Sequence, residues 1–485
     1  MVMEISARIM QVVGTQSGAG KSTIVMSLCH YFSKEGFRVA PFKAFNMSLN
    51  SVVVEGSAEI ARSQWLQAIS AGTKPEKEMN PILVKPEKGG LQPVILGKSL
   101  GNLSYGEYSS YMEKNAKEIV KKALEKLSRK FDIIVAEGTG SAAEINLRGK
   151  DIGNMFVSSL HDTPALLVSN IEMGGVFASI YGTILLMDRP DLLRGFIINN
   201  FRGDPSVLLS GIAEIEKRTI KRNFGIIPHI KNVTLPGEDY YDYFADRPIS
   251  SQVNVVRLPF MENYSDLDPL IMYGIGFRYV DKYESFLPGT SDVIVIPGSK
   301  DVPSDLAFIR KNGIDRIIRK HAAEGGKILG ICGGYQMLGR SIKTREKNGR
   351  TKTLRGIGLL DSTTLYKRNK TVRGVNYRRY GHKERFSEGY EIHYAVIETK
   401  ERPLFETESG PEGSVRGNIM GTNIHGVLEN RGFLSDLTGI KHRKSYTNLL
   451  KDEIERVSSI ICSSLDMNAI LKVIGLNGIK KVNDR

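Results

Sequence analysis

Ile9-Met10-Gln11-Val12-Val13-Gly14-Thr15-Gln16-Ser17-Gly18-Ala19-Gly20-Lys21-Ser22 decides the fold of the first half of the chain. A short apolar run enters a glycine-rich loop, and the helical pattern Thr23–Phe32 follows. Strand, loop and helix in this order form the context in which a phosphate loop works. Gly14, Gly18 and Gly20, with Thr15 among them, let backbone N–H groups converge on phosphate oxygens, and the helix N-terminus adds positive potential. Lys21 is placed to bridge terminal phosphates, and the Ser22 hydroxyl to ligate Mg²⁺. Five residues lie between Gly14 and Gly20, where the common loop has four. A tight glycine-rich turn would account for the glycines but not for Gly-Lys-Ser at a helix start.

A phosphate loop also needs an acid for its metal. Phe131-Asp132-Ile133-Ile134-Val135-Ala136-Glu137-Gly138 is an apolar strand ending in a carboxylate, so Glu137 is the second metal contact expected beside Ser22. Asp132, at the other strand end, reads as a surface residue. Lys43 follows the run Phe37–Ala40 and is placed to neutralise a transferring phosphoryl group. Asn199 ends Gly195–Asn199, where an amide can meet a nucleotide base edge. The runs Ile9–Val13, Ile133–Ala136, Ala165–Ser169 and Gly195–Asn199 read as buried strands. Tyr108, Met112, Ile119, Ala123 and Leu127 recur at helical spacing between them. Strands alternating with helices predict βαβ units and a parallel sheet.

Farther along, Lys327-Ile328-Leu329-Gly330-Ile331-Cys332-Gly333-Gly334-Tyr335-Gln336 is a strand running into G-x-C-x-G. This is the elbow that exposes a nucleophile on a sharp strand-to-helix turn. An inert buried cysteine would not need glycines on both sides. The Gly333 N–H points into the same space as the thiol and is a candidate oxyanion donor, with Gly298 and Ser299 of Ile296-Pro297-Gly298-Ser299 as the second. A cysteine nucleophile needs a base. His425 in Gly421-Thr422-Asn423-Ile424-His425-Gly426 and His393 in Gly389-Tyr390-Glu391-Ile392-His393 are both candidates, and spacing does not separate them. Val253–Leu258, Val293–Ile296 and Lys327–Ile331 make a second α/β series. The division is residues 1–230, a connecting arm at 231–251, a second α/β domain at 252–444, and a helical segment at 445–485.

The chain has 485 residues, a length for two or three domains, with 41% apolar and 25% charged residues. Sixty-seven Lys and Arg against 53 Asp and Glu leave +14, a balance that suits an acidic ligand, nucleic acid or a membrane surface. Three cysteines, Cys29, Cys332 and Cys462, make no disulfide framework and no metal-ligand spacing, which predicts a reducing compartment. The first residues lack a signal pattern, and no apolar run reaches membrane-spanning length. The expectation is a cytoplasmic protein with neither membrane nor nucleic-acid partner. The basic stretch Tyr366–Arg385 interleaves charges with tyrosines, as RNA-binding surfaces do, but the expectation is a solvated hairpin on the second domain.

A phosphate-loop half followed by a cysteine-elbow half resembles the glutamine-dependent cobyric acid synthases of the cobalamin pathway. The resemblance runs through GTQSGAGKS (Gly14–Ser22), PFKAFNMSLNS (Pro41–Ser51), MNPILVKP (Met79–Pro86), EGTGSAAEINLRGKDIGNM (Glu137–Met155) and FRGD (Phe201–Asp204). It continues in IPGSKDVPSDL (Ile296–Leu306), GICGGYQMLG (Gly330–Gly339), GYEIH (Gly389–His393) and GTNIHG (Gly421–Gly426).

The resemblance implies a parallel-sheet domain like dethiobiotin synthetase, then a class I glutamine amidotransferase α/β domain. It implies Cys332 as nucleophile and His425, rather than His393, as its base. It also implies ATP and Mg²⁺ as cofactors, glutamine as nitrogen donor, and a corrinoid substrate amidated at the b, d, e and g carboxylates of adenosylcobyrinic acid a,c-diamide. The family lacks the acid that most class I amidotransferases carry two residues after the histidine, and Val427 stands there in this chain. Glu429 and Glu391 are the candidates to orient His425. The family's DIDRGG reads Asn170-Ile171-Glu172-Met173-Gly174-Gly175 here, and Phe45 replaces a glutamine. INLRGKDIGNM and NMSLNS favour this family over the related a,c-diamide synthases. ParA/MinD-type ATPases carry an early loop lysine where this chain has Gln16, and a cysteine elbow has no use in them. Assembly with further copies of the chain stays open.

Overall fold

The apolar runs of the first half are strands buried on both faces, which is why they read as continuous rather than alternating. In the computed structural model, which describes residues 7–237, 253–282, 289, 292–345 and 351–476, the four runs join two further strands in one six-stranded sheet. Its strands are β1 (Arg8–Gly14), β2 (Val39–Phe42), β3 (Ile133–Glu137), β4 (Ala165–Asn170), β5 (Leu193–Phe201) and β6 (Arg222–Pro228), in the order β6-β5-β4-β1-β3-β2. Every pairing is parallel. The helix expected from the Tyr108–Leu127 spacing spans Tyr105–Ser128. It starts where Ser104 and Glu107 cap each other: Ser104 Oγ accepts the Glu107 N–H, and the Glu107 carboxylate accepts the Ser104 N–H at 2.9 Å. Its buried stripe of Ala116, Val120, Ala123, Leu124 and Leu127 packs on the β2–β3 side of the sheet.

Packing separates the described chain into two units that are not contiguous in sequence. The first holds the residues up to Ser48, Glu59–Val233, and those from Lys451 onward. The second holds Leu49–Ala58 and Thr234–Leu450. These bounds differ from the sequential division in two places. The segment Leu49–Ala58 leaves the first half to pack with the second, and most of the C-terminal helical segment returns to the first. Helix Tyr446–Ser463 docks Glu455 against Lys34 and His30, each at 3.0 Å. Asp466 then pairs with Arg222 at 2.7 Å. Residues 238–251 of the expected arm lie outside the described residues.

The second unit has its own sheet. Its strands are β7 (Val253–Val256), β8 (Arg278–Val280), β9 (Val293–Ile296), β10 (Lys327–Ile331), β13 (Ser414–Arg416) and β14 (Ile419–Thr422), in the order β8-β7-β9-β10-β14-β13. All pairs are parallel except the edge pair β13–β14. Between β10 and β13 runs a long antiparallel pair, β11 (Ser362–Arg379) and β12 (Ser387–Thr399). The basic stretch is therefore a hairpin. Its Tyr377 is fully buried, with its ring 4.8 Å from Phe405, and Tyr366 donates its hydroxyl to Gln336 at 2.8 Å. Those two rings serve the core rather than a base-stacking surface. Among the described residues no helix is long and apolar enough to cross a membrane, and the three cysteines are unpaired.

Gly421, on β14, faces the ring of Tyr335. A Cβ there would lie 2.0 Å from Tyr335 Cδ2, and the tyrosine is held by its 2.6 Å hydrogen bond to Ser414. Gly421→Ala is expected to destabilise this unit by ~1–3 kcal/mol, the usual cost of overpacking. Calorimetric unfolding reads it, and an unshifted transition would mean that the ring swings aside freely.

Candidate functional site

In the second unit four neighbouring parallel strands, β7, β9, β10 and β14, end at one edge, and the loops leaving those ends meet. This is the edge at which open α/β sheets carry their ligands. Cys332 leaves β10 with φ 50 and ψ −105, a backbone conformation rarely adopted by a side chain-bearing residue. Its N–H donates to Thr422 O at 2.7 Å, and its carbonyl accepts from Gln336 N at 3.1 Å. The glycines after it are forced by crowding. A Cβ on Gly333 would sit 2.6 Å from Ser299 N, and one on Gly334 would sit 2.0 Å from Ile296 O. The turn after β9 is therefore pressed against the elbow. A Cβ on Gly298 would lie 3.5 Å from His425 Cε1. Gly298, Ser299, Gly333, Cys332 and His425 thus occupy one place.

His425 follows β14 and is buried. Its ring stacks on Tyr390 at 5.2 Å and 17°. Its Nδ1 lies 2.7 Å from Asp266 Oδ2, and Asp266 Oδ1 accepts the Gly426 N–H at 2.8 Å. A carboxylate only accepts, so Nδ1 carries the hydrogen, and Nε2 lies 3.5 Å from Asn263 Nδ2. Burial by itself lowers the ring's affinity for a proton. The Asp266 carboxylate, with a smaller contribution from Cys332, outweighs it and pushes the pKa up to about 10; the Cys332 thiol itself points to Ile392 O at 3.9 Å. A base oriented by an acid and set against a thiol can hold that thiol as thiolate.

Asp266 is the acid that the sequence reading missed. Glu391, one of the two residues considered for this role, is instead paired with Arg373 at 2.5 Å. Glu429 lies on the turn Val427–Glu429, while the ring's Nδ1 is taken by Asp266. Asp266 sits in Asn263-Tyr264-Ser265-Asp266, which has no flanking pattern. Its one sequence signal is its place in the loop after a parallel strand. The second unit's N-terminal insert braces this loop. Asn50 Oδ1 accepts from Ser265 N at 3.2 Å, and Leu49 O from Asn263 N at 3.3 Å. His393 lies on β12 with Nε2 3.9 Å from Glu391, and burial lowers its pKa. Glu412, which burial pushes up to about 7, accepts from Thr422 Oγ1 at 2.6 Å and Asn423 N at 2.8 Å and so fixes the turn before His425.

In the first unit the loop after β1 opens helix Lys21–Lys34. Lys21 Nζ folds back onto the carbonyls of Gln16 and Gly140 at 2.8 and 2.9 Å. Ser22 Oγ donates to Glu137 Oε1 at 2.8 Å, and Lys43 Nζ meets the same oxygen at 2.8 Å. Gln67, also missed in the sequence, donates to Glu137 Oε2 at 2.5 Å and to Ser22 O at 3.3 Å. Thr15 is tied to β4 through Val168 O and Ser169 Oγ, at 3.0 and 3.1 Å. Asn199 does not present its N–H outward. It donates to Ala19 O at 2.9 Å and braces the loop.

A hydroxyl beside a buried carboxylate is the hard oxygen donor set that suits Mg²⁺, and a long helix's N-terminus with a lysine suits phosphate. No group of three acids, histidines or cysteines among the described residues holds a metal unaided. Waters and phosphate oxygens would complete the shell of an ion held at Ser22 and Glu137.

Because the His425 pKa is raised, the stabilisation from its charged pair with Asp266 is complete below the ordinary histidine value of ~6.5 and is lost as pH rises through about 10. Asp266→Asn removes the main opposing charge and leaves the burial. The ring's titration midpoint is expected to fall by more than ~1 unit, and alkylation of Cys332 at neutral pH to slow. Iodoacetamide labelling against pH reads it. An unchanged profile would remove Asp266 from the site.

Two family models match the chain: "CobQ/CobB/MinD/ParA nucleotide binding domain" over residues 10–239, and "CobB/CobQ-like glutamine amidotransferase domain" over residues 252–433. A probable cobyric acid synthase of Thermoplasma acidophilum is 49% identical, covering 95% of this chain and 98% of that protein. The probable cobyric acid synthase of Picrophilus torridus is 46% identical over 96% of this chain and 99% of its own. The cobyric acid synthase of Clostridium acetobutylicum is 41% identical over 98% of this chain and the whole of its own. With the cysteine elbow and the phosphate loop each on its own parallel sheet, and relatives matching nearly end to end, the chain belongs to the cobyric acid synthase family.

Proposed function

We propose that this chain is an ATP- and glutamine-dependent amide ligase that converts adenosylcobyrinic acid a,c-diamide to adenosylcobyric acid, amidating the b, d, e and g carboxylates. The reading rests on family membership, and the observation that carries its chemistry is the Cys332–His425–Asp266 arrangement. Cys332 attacks the glutamine side-chain amide. His425 takes the thiol proton and returns it to the departing ammonia. Asp266 keeps the ring oriented with Nε2 toward sulfur. The N–H groups of Gly333 and of the Gly298–Ser299 turn donate to the developing oxyanion, the group that most needs preorganised donors. Water then hydrolyses the thioester to glutamate.

The first unit holds nucleotide by the Gly14–Ser22 loop. Lys21, released from the Gln16 and Gly140 carbonyls, would meet the terminal phosphates, Ser22 and Glu137 would hold Mg²⁺, and Thr15 and Asn199 hold the loop in shape. Bound ATP would supply the phosphoryl group that activates a substrate carboxylate as an acyl phosphate, and ammonia would displace the phosphate to give the amide. Lys43 and Gln67 fix Glu137. Incubating the protein with Mg·ATP, glutamine and the a,c-diamide and reading the product mass tests the whole assignment: a gain of four amide nitrogens is expected, and an unchanged diamide overturns it.

Cys332→Ala is expected to abolish glutamine-dependent synthesis and to spare synthesis from added ammonium, because the thiol only generates ammonia. Equal loss with both nitrogen sources would overturn that division of labour. Lys21→Ala is expected to fail with either source. Removing one well-placed electrostatic contact typically costs ~3–4 kcal/mol, about two to three decades in rate. Synthesis at the wild-type rate by this variant would mean that the loop holds no nucleotide.

A further inference from the structure

Asp305 is fully buried in the first turn of helix Val302–Lys311, directly after the Gly298–Lys300 turn, and the chemistry above does not use it. Its Oδ2 accepts the Ser299 hydroxyl at 2.5 Å, and its Oδ1 accepts the Phe260 N–H at 3.0 Å. One carboxylate therefore ties together the turn after β9 and the loop after β7. The two segments also bond directly, Lys300 N to Phe260 O at 2.8 Å and Glu262 N to Gly298 O at 3.0 Å. Burial raises the Asp305 pKa to about 6, so at neutral pH it is mostly ionised and accepts at both oxygens. The bond turns the Ser299 side chain toward Asp305 and leaves Ser299 N pressed on Gly333, the residue after Cys332.

We propose that Asp305 is a positioning residue of the glutaminase half-reaction: by holding the Ser299 hydroxyl against a buried carboxylate anchored on Phe260, it aims the Ser299 N–H at the oxyanion. The inference rests on the reading of Cys332 as nucleophile. It makes Asp305 act on the oxyanion edge and leaves the Cys332–His425 pair untouched. An asparagine at 305 keeps both ties, since its oxygen accepts from Phe260 N and its amide donates to the Ser299 hydroxyl. An alanine keeps neither.

The test measures glutamine hydrolysis by the full chain, with Mg·ATP and the a,c-diamide present, for Asp305→Asn, Asp305→Ala, Ser299→Ala and the double variant. Asp305→Asn is expected to stay within about threefold of wild-type kcat. Asp305→Ala is expected to lose about 10- to 100-fold in kcat with KM within about threefold, somewhat less than outright removal of an oxyanion donor. Ser299→Ala is expected to lose kcat in the same sense, and the double variant to be no slower than Asp305→Ala, because both act through one tie. Iodoacetamide alkylation of Cys332 against pH should be unchanged throughout.

The proposal is overturned if Asp305→Asn is as slow as Asp305→Ala, if the two single losses multiply, or if the alkylation profile moves. Should Asp305→Ala not fold, Asp305→Asn and Ser299→Ala decide alone: retained activity in the first with loss in the second supports the proposal, and any other pair overturns it. Wild-type protein that still hydrolyses glutamine after complete alkylation of Cys332 would instead overturn the nucleophile assignment itself.

Discussion

The backbone of Cys332 is the constraint on which the second unit is built. A φ of 50 with a ψ of −105 on a residue that bears a side chain costs ~1–3 kcal/mol and persists only where the surroundings leave no alternative. Here the surroundings are explicit. The Cys332 N–H is taken by Thr422 on the neighbouring strand. Gly333 and Gly334 are packed so closely on Ser299 and Ile296 that no other residue fits without displacing backbone. The same packing that enforces the turn brings the loops after β9 and β14 to the sulfur. Strain, close packing and assembly of the site are therefore one feature.

Around that turn the second unit uses buried carboxylates as fasteners. Asp266 ties the His425 ring and the Gly426 N–H, Glu412 ties Thr422 and Asn423, and Asp305 ties Ser299 and Phe260. Burying an acid is costly unless donors compensate, and each of these has at least two. Glu412 and Asp305 are compensated by neutral hydroxyl and peptide donors, which offset only part of the desolvation, so both titrate above the ordinary carboxylate range. The first unit solves the corresponding problem differently. Its buried Glu137 has the Lys43 ammonium on one oxygen and the Gln67 amide on the other.

What was legible in the sequence had a local cause. Val293–Ile296 and Lys327–Ile331 are found with the bounds read from their apolar runs, because a strand buried on both faces must be apolar throughout. The two glycine-rich turns were legible because close backbone approach excludes other residues. The Tyr105–Ser128 helix was legible from its spacing. Asp266 was not, because its partner lies 159 residues away and an acid in a loop looks the same whether it orients a ring or faces water. Gln67 was missed for the same reason, 70 residues from Glu137. The excursion of Leu49–Ala58 and the return of the C-terminal helices follow from which surfaces fit, and composition along the chain carries no trace of that.

The departures from the family pattern in the first unit can be weighed in the same terms. Where the family has aspartate, Asn170 donates its amide to Gly18 O at 3.3 Å, while its oxygen accepts the Glu172 N–H at 2.9 Å. An ionised aspartate could keep the second bond but has no hydrogen for the first. The amide thus adds a brace to the phosphate loop, alongside the one Asn199 supplies from β5. The family's arginine is replaced by Met173, which is 86% exposed, so the substitution leaves no cavity and unpairs no buried charge. A guanidinium is still present nearby: Arg202 pairs with Glu172 at 2.7 Å, with both side chains exposed. Exposed pairs of this kind contribute little to stability, typically under ~1 kcal/mol. The substitutions change which groups order the loop and leave the Ser22–Glu137 pair beneath it intact.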